Sequence, residues 1–156
     1  MIHVLFVCLG NICRSPMAEG VFQHLVNQAG LADQIKVDST GTSRWNLGKP
    51  AHRGTRRTLR RHGIAYEGRA RQVTLADLNQ ADYVIAMDAN NVYDLRQMAS
   101  REALGGKLHL LLDFAPPGYQ AEVPDPIYDG KFEQVYELVE AGCRGLLDHI
   151  RTKHDL

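Results

Sequence analysis

In the run V-L-F-V-C-L-G-N-I-C-R-S-P-M-A-E-G a cysteine, Cys8, closes an apolar stretch, and an arginine, Arg14, follows after five intervening residues. Ser15 and Pro16 come next and read as a helix start, with Ser as N-cap and Pro at the first helical position. A loop between a strand end and a helix entry turns successive backbone N–H groups inward and faces the positive end of the helix dipole. It is therefore an anion site. Gly10 is expected to permit the backbone geometry such a loop needs. Arg14 supplies a planar fork of donors matched to two oxygens of a phosphate-like group. The field that holds an anion also favours the thiolate of a cysteine at its base. Leu9, Gly10, Asn11, Ile12, Cys13, Arg14 and Ser15 are thus expected to cradle a phosphate while Cys8 attacks its phosphorus in line.

Transfer of a phosphoryl group to a thiolate requires an acid for the leaving oxygen, and the same group can then activate water. Asp125, in V-P-D-P-I-Y-D-G, fits that need, because the flanking prolines stiffen the backbone around it. Taken alone, Cys8 reads rather as an inert buried thiol and Asp125-Pro126 as an ordinary turn. The spacing of Cys8, Arg14 and the Ser-Pro helix start carries the chemical reading.

The elements that must position these residues follow from the hydrophobic pattern. Strands are expected over 2–7, 35–39, 83–87 and 108–112. Helices are expected from Ser15 toward Gly30 and over 55–62, 90–98 and 131–150, with loops over 40–50 and 116–130. Strands alternating with helices predict an α/β three-layer sandwich, a parallel sheet covered on both faces. Ligands in such folds bind beyond the carboxyl ends of the strands, where Cys8 falls.

The chain has 156 residues, the size of a single domain spanning 1–156, with 44% hydrophobic and 23% charged residues. Eighteen Lys and Arg balance eighteen Asp and Glu, which gives no sign of a nucleic-acid partner. No apolar run approaches the roughly 20 residues of a membrane span, and no secretory leader is expected. The sparse, odd cysteine set of Cys8, Cys13 and Cys143 suits a reducing cytoplasm rather than a disulfide framework. Cys143 reads as a core residue on the last helix. A zinc site built on Cys8 and Cys13 would need two more well-spaced ligands, which the scattered histidines do not offer. No metal and no cofactor are expected, and a monomer is.

With both motifs in hand, the chain resembles the low-molecular-weight protein tyrosine phosphatases over nearly its whole length. C-L-G-N-I-C-R-S-P carries most of the likeness, supported by V-D-S-T-G-T-S, R-H-G-I, R-Q-V-T, A-M-D and D-P-I-Y. The resemblance implies a four-stranded parallel sheet with helices on both faces and a phosphate-binding loop after the first strand. It implies hydrolysis of phosphotyrosine in proteins or peptides, and of other aryl phosphates, through a cysteinyl-phosphate. Cys8 would be the nucleophile, Arg14 the phosphate clamp and Asp125 the general acid and then base. Ser15 would hydrogen-bond the thiolate. Asn11 would brace the loop, supported by Ser39 and by His62 of R-H-G, and phosphate-like oxyanions would bind the same loop. Ser15, Ser39 and His62 also have plain readings as an N-cap, a strand-end polar residue and a helix-terminal charge. Asp88, in A-M-D, is expected to play a structural part near the loop.

The resemblance further implies that Cys13 can form a disulfide with Cys8, although Cys13 reads equally as a space-filling residue behind the loop. Trp45 and Tyr128 would wall an aryl pocket, with Ile127 standing where the family often has a second aromatic. A cousin on the same scaffold acts on phosphoarginine and carries threonine where this chain has Ile12, so Ile12 favours the aryl substrate. Arsenate reductases on the scaffold need two further cysteines near residues 80–95, and this chain has none there. A binding module that has lost turnover would need neither thiol nor acid. The basic run R-G-T-R-R-T-L-R-R-H over 53–62 is either a solvated helix face or a field that steers acidic phosphopeptides.

Overall fold

Within the first strand Val4, Phe6 and Cys8 face one side of the sheet while Leu5 and Val7 face the other, and all five are buried. Helices must therefore cover both faces, which is why the strand reads as an unbroken apolar run. The computed structural model, which describes residues 1–156, shows this arrangement. Strands β1 (Ile2–Cys8), β2 (Ile35–Gly41), β3 (Tyr83–Ala86) and β4 (Leu108–Leu110) are all parallel, in the order β2-β1-β3-β4.

The larger core lies between one face and helices α1 (Arg14–Gln28), α2 (Arg53–Arg61) and α6 (Phe132–His154). Phe6 of β1 and Phe22 of α1 meet there edge to face, with ring centroids 5.5 Å apart. The smaller core joins Leu5, Val7, Val84 and Ala86 to Leu78, Leu95 and Leu104. Those three leucines belong to α3 (Leu75–Gln80), α4 (Ala89–Met98) and α5 (Arg101–Leu104). The sheet order reverses between β1 and β3, so the crevice past their carboxyl ends is the switch point where α/β folds place ligands. No helix is long and apolar enough to cross a membrane.

Several expectations need correction. Helix α1 begins at Arg14 with Cys13 as N-cap and no side-chain cap bond, so Ser15 is not the cap. The Ser15 hydroxyl is engaged inside the loop instead. Strand β4 stops at Leu110, because residues Leu111–Phe114 wind into a 3-10 turn that buries Leu111 and Leu112. Helices α3 and α5 were not expected, although their starts are marked. Thr74 and Asp77 form a reciprocal capping box, and the Ser100 hydroxyl accepts from the Ala103 amide. In the loop the left-handed residue is Asn11 (φ 56°), not Gly10. A Cβ on Gly10 would lie 2.7 Å from Asn46 Nδ2, the far end of a side chain that donates to the Gly10 carbonyl, and would displace that contact.

Candidate active site

Residues 8–15 make a tight turn from the end of β1 into α1, and the turn wraps the Cys8 sulfur. Asn11 N donates to Cys8 Sγ at 3.3 Å, and Ser15 Oγ lies 3.0 Å from the same atom. The N–H groups of Leu9, Gly10, Ile12, Cys13, Arg14 and Ser15 donate to no backbone acceptor. Unpaired N–H groups gathered at a helix entry are the donor set of an anion cradle.

Arg14 is almost fully buried, with its side chain 4% exposed, and is held from three sides. Nη1 donates to Asp88 Oδ2 at 2.6 Å and to the Val123 carbonyl at 2.9 Å, while Nη2 stands 3.6 Å from Asp125 Oδ2. Burial alone would weaken the guanidinium's hold on its proton. Cys8, Asp88 and Asp125 outweigh that and push its pKa above the ordinary value. Asp88 divides its two oxygens: Oδ1 accepts from the Asn91 amide to cap α4, and Oδ2 holds Arg14. Its placement beside the loop agrees with the structural part expected for it.

Asp125 sits in the irregular stretch between the 3-10 turn and α6. The neighbouring Val123 anchors that stretch, being fully buried, with its amide donating to the Met87 carbonyl at the end of β3. Asp125 Oδ1 accepts from the Ile127 amide at 3.2 Å, which fixes the turn carrying the carboxylate. A cleft of about 120 Å³ opens over the sulfur between Asp125, Ile12, Trp45, Asn46, Ile127 and Tyr128. Trp45 is 72% exposed and Tyr128 84% exposed, so both stand as walls and neither is core.

Behind the loop runs a directional chain of hydrogen bonds. Asn11 Nδ2 donates to both Ser15 Oγ (2.9 Å) and Ser39 Oγ (3.1 Å), and Arg71 N donates to Asn11 Oδ1 (3.0 Å). Because Ser15 Oγ accepts from Asn11, its own proton is left for Cys8 Sγ or for the Thr40 carbonyl at 3.3 Å. Ser39 Oγ in turn donates to Glu19 Oε1 (2.6 Å), which also accepts from the Tyr66 hydroxyl (2.7 Å). Burial raises the Glu19 pKa against these donors, and burial together with the Glu19 charge raises that of Tyr66.

Ser39 therefore reaches Asn11 as expected, and His62 does not. The His62 ring stacks on Tyr136 (centroids 3.7 Å apart) and pairs with Glu133, both on α6. It stands past the end of α2 and is turned outward, so it clamps α2 to α6 and makes no hydrogen bond to the loop. Glu19 and Tyr66 were missed. Glu19 carried a usable signal, lying one helical turn after Ser15, whereas Tyr66 carried none.

The outer limb of the loop is held by the start of α2. The His52 amide donates to the Ile12 carbonyl (2.7 Å) and Thr55 Oγ1 to the Cys13 carbonyl (3.0 Å). Cys8, Cys13 and Cys143 are all free and buried. Burial, with the charges of Asp125 and Cys8 adding, pushes the Cys13 thiol up to about 12. Cys143 packs in the α6 core, and burial raises its pKa as well.

A family model described as low molecular weight phosphotyrosine protein phosphatase matches residues 3–156. The low molecular weight protein-tyrosine-phosphatase YfkJ of Bacillus subtilis is 49% identical over 100% of both chains. Its crystal structure superposes with a TM-score of 0.94, covering 98% of this chain and 96% of that one. The low molecular weight protein-tyrosine-phosphatase PtpA of Staphylococcus epidermidis is 46% identical over 96% of this chain and 94% of its own. A Drosophila arginine phosphatase shares the fold at a TM-score of 0.86, with 32% identity over 95% of this chain and 97% of that one.

Proposed function

The chain belongs to the low molecular weight phosphotyrosine protein phosphatase family, and from that premise we propose that Cys8, Arg14 and Asp125 carry its chemistry. The enzyme hydrolyses phosphotyrosine through a cysteinyl-phosphate. One observation supports the assignment above the others: sulfur, guanidinium and carboxylate converge on a single small cleft floored by unpaired amides.

In the first step the Cys8 thiolate attacks phosphorus, so that an S–P bond forms as the P–O bond to the aryl group breaks. Asp125 gives its proton to the departing phenolate oxygen. Arg14 and the loop amides hold the equatorial oxygens, where the charge of a loose transition state collects. In the second step water attacks the phosphocysteine and gives a proton back to Asp125. The Ser15 hydroxyl then donates to the thiolate that leaves. Its orientation depends on Asn11, which depends on Ser39 and, through it, on Glu19 and Tyr66.

Tyr66→Phe is accordingly expected to lower kcat a few-fold with KM almost unchanged, and to lower stability by about 0.5–1.5 kcal/mol. Steady-state kinetics and thermal melts on one preparation measure both. An unchanged kcat would remove Tyr66 from the support of the loop.

The substrate end of the cleft suits an aryl ring. Trp45 and Tyr128 present flat apolar faces, and Ile12 and Ile127 complete an apolar throat. A phosphotyrosine peptide is expected to exceed the matched phosphoarginine peptide in kcat/KM by roughly 10- to 200-fold, the range an apolar pocket supplies. A ratio favouring phosphoarginine would keep the Cys8 chemistry and overturn the aryl reading of Ile12. The three free thiols suit a reducing cytoplasm, where we place this enzyme, acting as a monomer.

A further inference from the structure

Helix α2 carries Arg53, Arg56, Arg57, Arg60 and Arg61 within nine residues, and no carboxylate lies within ion-pair distance of any of them. All but the half-buried Arg56 are exposed. This arrangement works against the helix. Arg53, Arg57 and Arg61 repeat at i, i+4 and i+8, where like charges repel. Arg53 also sits in the first turn, which holds no acidic residue and where the helix dipole disfavours a cation. In a chain with no net charge, such a concentration on one helix is a local field and not a general excess.

The helix is placed where that field matters. Its first residues hold the phosphate loop through the His52 and Thr55 bonds to Ile12 and Cys13. His52 also stacks on Phe132, the first residue of α6, with centroids 5.0 Å apart. Between the two helices lies a groove of about 220 Å³ flanked by Arg57, Arg61 and Lys131. Gly130 at its edge is two residues from Tyr128, the cleft wall. The carboxylate in the groove, Glu133, is already paired with His62, and nearby Asp129 accepts from the Lys131 amide.

We propose that the groove between Arg57, Arg61 and Lys131 binds acidic side chains of the substrate peptide that flank the phosphotyrosine. This rests on the phosphotyrosine reading above and adds a preference to it. Arg57 and Arg61 lie about 7.5 and 13.5 Å along α2 from His52, whose amide holds the cleft residue Ile12. An extended peptide covers about 3.3 Å per residue, so the Asp or Glu concerned stands roughly two to five residues from the phosphotyrosine.

The test compares kcat/KM for two phosphotyrosine peptides that differ only in Glu against Gln at those positions, using wild type and Arg57→Glu/Arg61→Glu. Wild type is expected to favour the Glu peptide by on the order of tenfold at low salt, and the double variant to lose or invert that preference. A Lys-flanked peptide should then become the better substrate of the variant. Turnover of p-nitrophenyl phosphate, which does not reach the groove, should be equal in the two proteins. Equal kcat/KM for the Glu and Gln peptides in wild type would overturn the proposal while leaving the phosphotyrosine activity standing. Failure to turn over either peptide would instead overturn the functional reading beneath it. If the preference is absent but the double variant loses affinity for anionic phospholipid vesicles, the groove faces lipid and the peptide proposal fails.

Discussion

Cys8→Ser is expected to reduce turnover of every phosphate ester by at least about 10⁴-fold, the scale on which loss of a nucleophile acts. An alkoxide is far less accessible than a thiolate at neutral pH, and a phosphoserine, once formed, would resist hydrolysis in the second step. The substitution should leave the oxyanion cradle in place. The Asn11 amide and the Ser15 hydroxyl do bond the sulfur, and a serine oxygen can take its place for both, while Arg14 is fixed by Asp88 and Val123 and the Asn11 side chain by Ser15, Ser39 and the Arg71 amide. Inorganic phosphate measured by calorimetry should therefore bind the variant within a few-fold of wild type. Acid quenching of the wild type during turnover should yield a protein phosphorylated at Cys8, and the variant should yield none. Residual turnover within about a hundredfold of wild type would sink the covalent mechanism, because the remaining cradle cannot by itself supply a nucleophile.

What was readable in the sequence and what was not separates along chain distance. Cys8, Arg14 and Ser15 share one loop, so their spacing fixes their geometry, and the structure brings them together around one sulfur. Strands β1 and β3 were readable because burial on both faces leaves largely apolar runs. Contacts that cross the chain were not readable from spacing, and the bond of Asn11 to Ser39 was expected only through the resemblance. Val123, which holds Arg14 through its carbonyl, lies 109 residues away, and Tyr66 reaches Glu19 across 47. His62 was misassigned for the same reason. A histidine at a helix end can turn toward the loop or away, and Tyr136 and Glu133 of the last helix, far along the chain, turn it away. Ser15 was read as a cap because Ser-Pro is a common helix start, but its hydroxyl has a better partner in the loop than the backbone would offer. Asp125 was joined to the first motif by the chemical need for an acid on a stiff loop, and then by family resemblance, since no local spacing connects them.

Asp125→Ala should slow poor leaving groups such as phenyl phosphate by roughly 10²-fold or more, and activated ones such as p-nitrophenyl phosphate by much less. The difference is diagnostic, because a nitrophenolate leaves without help while a plain phenolate needs the proton. Across a series of aryl phosphates, log kcat/KM should depend more steeply on leaving-group pKa in the variant than in wild type. Asp125→Asn should behave in the same way while preserving the side-chain shape and the turn to Ile127, which separates loss of the proton from loss of the loop. An equal effect on good and poor leaving groups would make Asp125 a wall of the cleft and not its acid. Asp88 is the other carboxylate at Arg14, and at 2.6 Å it is nearer than Asp125 at 3.6 Å. Both of its oxygens are nonetheless engaged, one by the Asn91 amide and one by Arg14, and it does not line the cleft over Cys8, so neither oxygen reaches the substrate. Asp125 lines the open cleft and its contact with Arg14 is the looser one, which leaves it able to exchange a proton with the substrate oxygen and then with water.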